Sequence, residues 1–323
     1  MVESPGKPQK LKFGEVPKPG FSKDELLIKV KAAGVNRADI LQRQGLYPPP
    51  AGSSSIIGLE IAGNIEARGK NCLEWKTGER VLCLLSGGGY AEYVAVHKKM
   101  AMKIPENLSY QEAAAIPEAY LTAFQSIVWL AKLQAGQSIL IHAGASGVGS
   151  AAIQIARQIG TTIFATAGSD EKVKFCLQQG ANQGINYRTE SFGEIIQRET
   201  KGKGVNVIID FVGSSYWKSN LDSIAIDGQL IVLATMGGAL IPEFDLRQLM
   251  RKHLTLRGST LRNRSQEYKI QLTKEFSEFA LPLFSNGSMR PALDRIFHWQ
   301  DVSLAHQYME ENLNMGKIIL KIQ

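Results

Sequence analysis

The residues most suited to chemistry lie between Ser138 and Arg157, SILIHAGASGVGSAAIQIAR. A short apolar run, Ile139-Leu140-Ile141, reads as a strand buried on both faces. The turn Gly144-Ala145-Ser146-Gly147-Val148-Gly149 follows, and then a helical pattern of small and aliphatic residues from Ala151 to Ala156. Strand, glycine turn and helix form the context of a dinucleotide-binding fingerprint. Glycine makes the turn tight, lets the backbone approach a pyrophosphate and packs the helix close to the strand. The helix N-terminus then offers N–H groups and a positive dipole end to the phosphates. Against G-x-G-x-x-G the middle glycine is Ser146, and Gly147 is an extra glycine. By itself the pattern also suits a plain strand-to-helix connection.

A second group of polar residues bears on which nucleotide is taken. NAD-preferring folds carry an acid at the tip of the second strand for the ribose 2′-hydroxyl. Here that strand runs into Thr166-Ala167-Gly168-Ser169, with Lys172 one helical turn on. A hydroxyl and a cation suit a 2′-phosphate, so NADPH is expected over NADH. Asp170 and Glu171 argue the other way if either turns inward. Taken singly, Ser169 is equally an ordinary N-cap and Lys172 a solvated lysine.

The elements that position these groups follow from the rest of the chain. Its 323 residues suffice for a sizeable core and two domains. No run approaches the roughly 18 apolar residues of a membrane span. The opening MVESPGKPQKLKFGEVPKPG has no apolar signal region, so the cytoplasm is the expected compartment. Cys72, Cys83 and Cys176 form no metal or disulfide pattern. The net charge of +7 permits an anionic partner, yet the basic residues are dispersed and nucleic acid is not expected. The first hundred residues read as short strands with glycine turns: Glu25 to Lys31, Ile56 to Gly63, Trp75 to Val81 and Tyr90 to Val96. This predicts a β-rich, barrel-like domain. Near Leu108 the pattern becomes helical, with Ser109 and Glu112 spaced as a capping box and Pro117 as a break. After the fingerprint, strands and helices alternate: Thr162 to Thr166, Ser169 to Gly180, Val205 to Asp210 and Gln229 to Leu233. Alternation of this kind predicts a doubly wound parallel sheet of the Rossmann type. Ligands there lie beyond the carboxyl strand ends, at Gly144–Gly149, Asp210–Gly213 and Ala234–Gly238. A helical tail from Lys269 and a closing strand Ile318 to Ile322 suggest a return to the β-rich domain. None of the five histidines has metal-like spacing, and His142 reads as a satisfied structural residue. Glu60 reads as a functional carboxylate or as a buried partner of Arg37 or Arg80.

Several long segments carry a resemblance across nearly the whole chain: NRADILQRQGLYPPP, IIGLEIAG, AAAIPEAYLTAFQ, LIHAGASGVGSAAIQIAR, TAGSDEK, INYRTESF and NMGKIIL. The sequence resembles the zeta-crystallin-like quinone oxidoreductases of the medium-chain dehydrogenase/reductase superfamily, above all those induced by the p53 tumour suppressor. The resemblance implies a GroES-like catalytic domain split between residues 1–118 and 261–323, around a Rossmann domain at 119–260. It implies NADPH in the interdomain cleft, hydride transfer to a quinone or a related electron-poor alkene, and a homodimer or homotetramer. Coenzyme-binding roles then fall on Ser146, Gly147, Val148, Gly149, Gly168, Ser169, Lys172, Tyr187, Arg262 and Asn314. Asn36, Tyr47, Arg262 and Asn314 would lie near nicotinamide and substrate.

Two departures from the superfamily matter. Its zinc alcohol dehydrogenases carry Cys near position 36 and His in a G-H-E run, where this chain has Asn36 and Gly58-Leu59-Glu60. A zinc-free reductase is therefore expected. MVESPGKPQ also stands where family members begin with an apolar strand, so either the chain is shortened there or the first strand is lost, and the edge of the catalytic sheet is the part of the resemblance it leaves open. A quinone accepting hydride develops oxyanion charge, and Tyr47 is the first candidate donor, with the Asn36 amide second. The rival expectations are an NADPH-dependent reductase of enals, enones or enoyl thioesters, and a crystallin-like or RNA-binding protein with little turnover.

Overall fold

The computed structural model describes residues 4–322 and divides them between two compact units. Unit one comprises residues up to Leu121 and from Leu261 onward; unit two is Thr122–Thr260.

Unit one opens without a strand of any length among its described residues: Pro8–Lys10 make a single 3₁₀ turn and Leu11 a lone bridge. Residues 1–3 of the sequence expected to replace the family's first strand lie outside the described residues. The rest of that opening is tied down by Gly6 N–H to Arg43 O and Ser303 Oγ–H to Pro8 O. Strand β1 (Glu25–Val35) is the hub, followed by helix α1 (Arg37–Arg43) and by β2 (Glu60–Arg68), β3 (Arg80–Leu84), β4 (Tyr93–His97) and β5 (Ala101–Lys103). Ile56–Leu59 were expected inside a strand, but β2 starts only at Glu60. Gly58 sits at φ +112, where a Cβ would stand 2.6 Å from Gly89 Cα, a conformation that breaks a strand rather than extends one.

Helix α2 (Tyr110–Ala113) begins with the expected capping box, Ser109 and Glu112 each satisfying the other's backbone N–H. Pro117 opens a second helix, α3 (Pro117–Phe124), because a proline at the first helical position gives up no hydrogen bond. The boundary between units falls inside α3.

Unit two contains β6 (Ser138–Ile141), α4 (Gly147–Ile159), β7 (Thr162–Ala167), α5 (Asp170–Gln179), β8 (Gln183–Asn186), α6 (Phe192–Glu199), β9 (Val205–Asp210), α7 (Trp217–Ser223), β10 (Ile224–Val232), α8 (Arg247–Lys252) and β11 (Thr255–Gly258). The six strands form one parallel sheet in the order β11-β10-β9-β6-β7-β8. This is the doubly wound Rossmann arrangement, with the order reversing between β6 and β9. Its core joins Leu140, Ile185, Ile208 and Leu230 from the strands to Phe192, Ile195 and Ile196 of α6.

The chain returns to unit one through α9 (Gln266–Ser285), β12 (Leu293–His298), α10 (Val302–Glu310) and β13 (Lys317–Lys321). β13 pairs antiparallel with β1, Val35 opposite Ile318 and Ala33 opposite Leu320. The sheet order is β12-β13-β1-β2-β3-β5, with β4 also on β1. The last strand of the chain therefore lies beside the first, which brings residues about 280 positions apart into one wall.

Candidate functional site

In unit two the site is built on the carboxyl ends of β6, β7 and β9. Ser146 is the N-cap of α4, and its Oγ accepts the Gly149 N–H at 3.0 Å. A Cβ on Gly149 would stand 2.2 Å from Ala143 O, and one on Gly144 2.8 Å from Cys176 Sγ. Missing side chains thus let the helix start directly against the turn. The first-turn N–H groups at Gly147 and Val148 have no intrahelical acceptor, which is the geometry that holds phosphate.

Beside this turn, β7 ends at Ala167 and delivers Gly168 and Ser169. Ser169 caps α5, accepting the Lys172 N–H at 3.3 Å, so its helix-capping role is real and its own O–H is still a donor. A Cβ on Gly168 would lie 2.7 Å from Tyr187 Oη, which sets the tyrosine over that glycine. Tyr187 is 42% exposed and meets Tyr216 edge-on. Asp170, an acid that could have met a ribose, instead accepts Asn186 Nδ2 at 2.6 Å.

Below the turn lies a fully buried polar network. The His142 ring nitrogens lie 2.9 Å from Thr166 Oγ1 and 2.7 Å from Asn220 Oδ1. Asn220 Nδ2 donates to Asp210 Oδ2, and Asp210 Oδ1 accepts the Val212 N–H at 2.7 Å. Burial lowers the His142 pKa, so the ring is a neutral strut that ties three strand ends together.

In unit one, Asn36 caps α1 at the end of β1 and is almost completely buried. Lys317 Nζ, on the neighbouring β13, donates to Asn36 Oδ1 at 2.6 Å, Glu60 Oε1 at 2.5 Å and Val35 O at 3.1 Å. Asn36 Nδ2 donates to the same Glu60 oxygen at 2.8 Å, while Glu60 Oε2 accepts the Glu118 N–H at 2.8 Å. Gly34 makes room for this carboxylate, since a Cβ there would stand 2.1 Å from Glu60 Oε1. Glu60 thus pairs with neither Arg37 nor Arg80. Arg37 reaches Met309 O and Asn312, and Arg80 lies over the Tyr110 ring. Removing one member of such a buried pair costs about 3–5 kcal/mol, because the other charge is left uncompensated.

Next to this group, Asp39 Oδ2 accepts the Asn36 N–H at 2.7 Å and the Tyr90 O–H at 3.2 Å. Tyr90 Oη also lies 3.3 Å from His306 Nε2. Burial lifts Asp39 to about 7, and burial with the Glu60 charge lifts Glu118 to about 8. Burial lowers His306 to about 3.

Tyr47 follows α1 and is half-buried, its ring 5.4 Å from the Arg262 guanidinium. Arg262 itself is buried and donates to Ser86 O, Tyr47 O and Gln42 Oε1. In this unit it braces the Tyr47 loop. Asn314 donates to Gly316 O within the turn that leads into β13. Lys317, Glu60, Asp39, Tyr90 and Glu118 were missed as a group in the sequence. The available signals were Gly34 inside an apolar strand and a lysine at the start of the last one.

Comparison with known proteins places the chain. The family described as alcohol dehydrogenase GroES-like domain matches residues 22–106, and that described as zinc-binding dehydrogenase matches 147–278. The human quinone oxidoreductase is 32% identical over 98% of this chain and 94% of its own. The chain belongs to the quinone oxidoreductases of the medium-chain dehydrogenase/reductase superfamily. Among solved structures, Escherichia coli quinone oxidoreductase complexed with NADPH is similar with a TM-score of 0.88 at 27% identity, covering 99% of this chain and 98% of that one. CurK enoyl reductase gives 0.88 at 28% identity over 100% and 98%.

The superfamily name raises zinc, and the residues of this chain do not fit it at the two positions where the zinc enzymes carry ligands. Position 36 offers a carboxamide whose oxygen Lys317 already holds, and position 59 a fully buried leucine. Among the described residues no three His, Cys, Asp or Glu side chains gather at one point.

Proposed function

We propose that this protein is a zinc-independent, NADPH-dependent oxidoreductase that reduces quinones, ortho-quinones among them. The observation that carries the reading is the turn from Gly144 to Gly149, packed so closely that only glycine fits at 144 and 149, with α4 starting at its end. NADPH fits these residues: backbone N–H groups at Gly147 and Val148 for the pyrophosphate, and Ser169, Lys172 and Tyr187 around Gly168 for the 2′-phosphate end. The Asp170 carboxylate is engaged by Asn186 Nδ2. The coenzyme supplies the hydride when bound.

The protein's own residues bind and orient. Charge that develops on an acceptor carbonyl oxygen needs donors, and the Tyr47 phenol and the Asn36 amide are the two we assign. Arg262 holds the Tyr47 loop from behind through Tyr47 O and the ring face. The likeness to CurK enoyl reductase favours a second reading, reduction of an enone or enoyl thioester by the same hydride chemistry.

The test is oxidation of NADPH and of NADH, followed by absorbance, with ortho-quinones and with alkenals, in the presence of a chelator. Chelator-resistant turnover of quinone with NADPH supports the first reading, and turnover of alkenals alone supports the second. Tyr47→Phe is expected to lower kcat roughly tenfold while leaving the NADPH Kd within about twofold. Unchanged steady-state constants would remove Tyr47 from the site.

A further inference from the structure

A carboxamide has two faces. Turned half a revolution about its last bond, Asn36 would offer an acceptor oxygen where a donor is required. The structure contains the reason one orientation persists. The atom 2.6 Å from Lys317 Nζ must be the oxygen, because an ammonium only donates. The atom 2.8 Å from Glu60 Oε1 must be the nitrogen, because a carboxylate only accepts. Lys317 is 4% exposed and Glu60 0%, so water does not compete for either contact. The three Lys317 donors are all used, on Glu60 Oε1, Asn36 Oδ1 and Val35 O. One Asn36 N–H goes to Glu60, and the carboxamide carries a second.

We propose that Lys317 is a positioning residue of the reductase site. Its buried ammonium, clamped between Glu60 and Asn36, holds the Asn36 carboxamide with an N–H toward the substrate. The site then takes acceptors through an oxygen that gains negative charge, as in quinones and enones, and discriminates against ligands that present a hydroxyl donor at that point. The inference rests on the oxidoreductase reading above, which supplies the role of Asn36. Strand pairing explains why so remote a residue can do this: β13 lies directly on β1, and Lys317 is its first residue.

Lys317→Met alone strands a buried carboxylate and risks the fold. The test therefore uses the pair Lys317→Met with Glu60→Gln, in which both charges are removed, with Lys317→Arg as the conservative variant. In the paired variant kcat for a quinone is expected to fall roughly 10- to 100-fold, with the NADPH Kd within about twofold. Asn36→Ala alone is expected to cost about as much, and Asn36→Ala added to the pair should cost less than about twofold more. Full multiplication of the two losses, or an unchanged kcat in the pair, overturns the proposal. Lys317→Arg should recover at least part of kcat.

A second readout needs no turnover: the side-chain amide signals of Asn36 in protein labelled with nitrogen-15 at asparagine. The two protons are distinct in either chain, because the amide C–N bond is a partial double bond. In the native chain the one bound to Glu60 is expected to be shifted downfield and slow to exchange with solvent, and in the paired variant that shift and that protection are expected to be lost. Identical amide behaviour in both overturns the clamp. Absence of any quinone or enone turnover by the native chain counts against the oxidoreductase reading, while the amide signals still decide the clamp.

Discussion

Asp39 shows what burial does to a single group. Its carboxyl is fully buried on α1, and desolvation raises it to about 7 despite the Asn36 N–H, Lys317 and Tyr90. In the unfolded chain the same group titrates near pH 4. Between those values the native state binds a proton that the unfolded state has lost, so its contribution lowers stability as pH rises from about 4 to 7 and is level above. His306 acts with the opposite sign. Held down to about 3, it stays neutral in the fold while the unfolded chain takes up a proton below about pH 6.5, so stability falls as pH drops. Asp39→Asn keeps an oxygen for the Asn36 N–H and removes the first effect only. Urea denaturation at pH 5 and at pH 7.5 should show that the native protein loses stability relative to the variant as pH rises. Parallel behaviour of the two proteins would mean that Asp39 titrates normally. None of this was readable from the sequence, where Asp39 is one acid in NRADILQ. Its environment comes from Tyr90 just before β4, Glu60 on β2 and Lys317 on β13, distant in the chain.

At the scale of elements, the junction of β6 and α4 carries the coenzyme reading. The fingerprint was legible because its demands are local. A tight turn and a close helix require glycine within a few residues, and the sequence states where. The structure adds which glycine matters to which contact. Gly149→Ala would drive a Cβ to 2.2 Å from Ala143 O, a backbone atom that cannot move aside without opening the turn. Its NADPH Kd, by fluorescence titration, is expected to rise at least about tenfold, as the phosphate donors lose their alignment. Gly20→Ala, with nothing within 4 Å of the added Cβ, is the control and should bind as the native protein does. Equal binding by both variants would detach the coenzyme from this turn. Element ends were legible by the same logic: Ser109 with Glu112 starts α2, and Ser169 and Gly180 bracket α5. Pro117 was legible for a reason of equal locality: the helical stretch breaks just before it, and a proline that ends one helix is well suited to begin the next.

At the scale of the whole molecule, the family resemblance implies an oligomer. β11 is an edge of the six-stranded sheet, and all four of its residues are exposed. Leu256 on that strand, Met250 on α8 and Ile226 on β10 are exposed apolar side chains in the same unit, at 44%, 72% and 63%. An open parallel edge with apolar neighbours invites a second strand. We expect the purified protein to be a dimer or tetramer by light scattering, and Leu256→Glu to shift it toward a smaller species. A native monomer, or a variant of unchanged mass, would locate the interface elsewhere or nowhere. Among the described residues no helix is long and apolar enough to cross a membrane.

By itself, the sequence determined what depends on neighbours in the chain: the glycine turn at 144–149, the capped helices α2 and α5, the alternation that makes a parallel sheet, and Asn36 and Leu59 at positions where zinc enzymes have ligands. Tertiary structure decided what depends on pairing at a distance. The sequence offered Arg37 or Arg80 as partners of Glu60, and both were wrong, because charge alone does not choose a partner. Lys317 became its partner because β13 hydrogen-bonds to β1 and brings the end of the chain to its beginning. The same pairing orients Asn36. A buried ion pair is selected by the register of two strands, and register between residues some 280 positions apart is written in no local pattern.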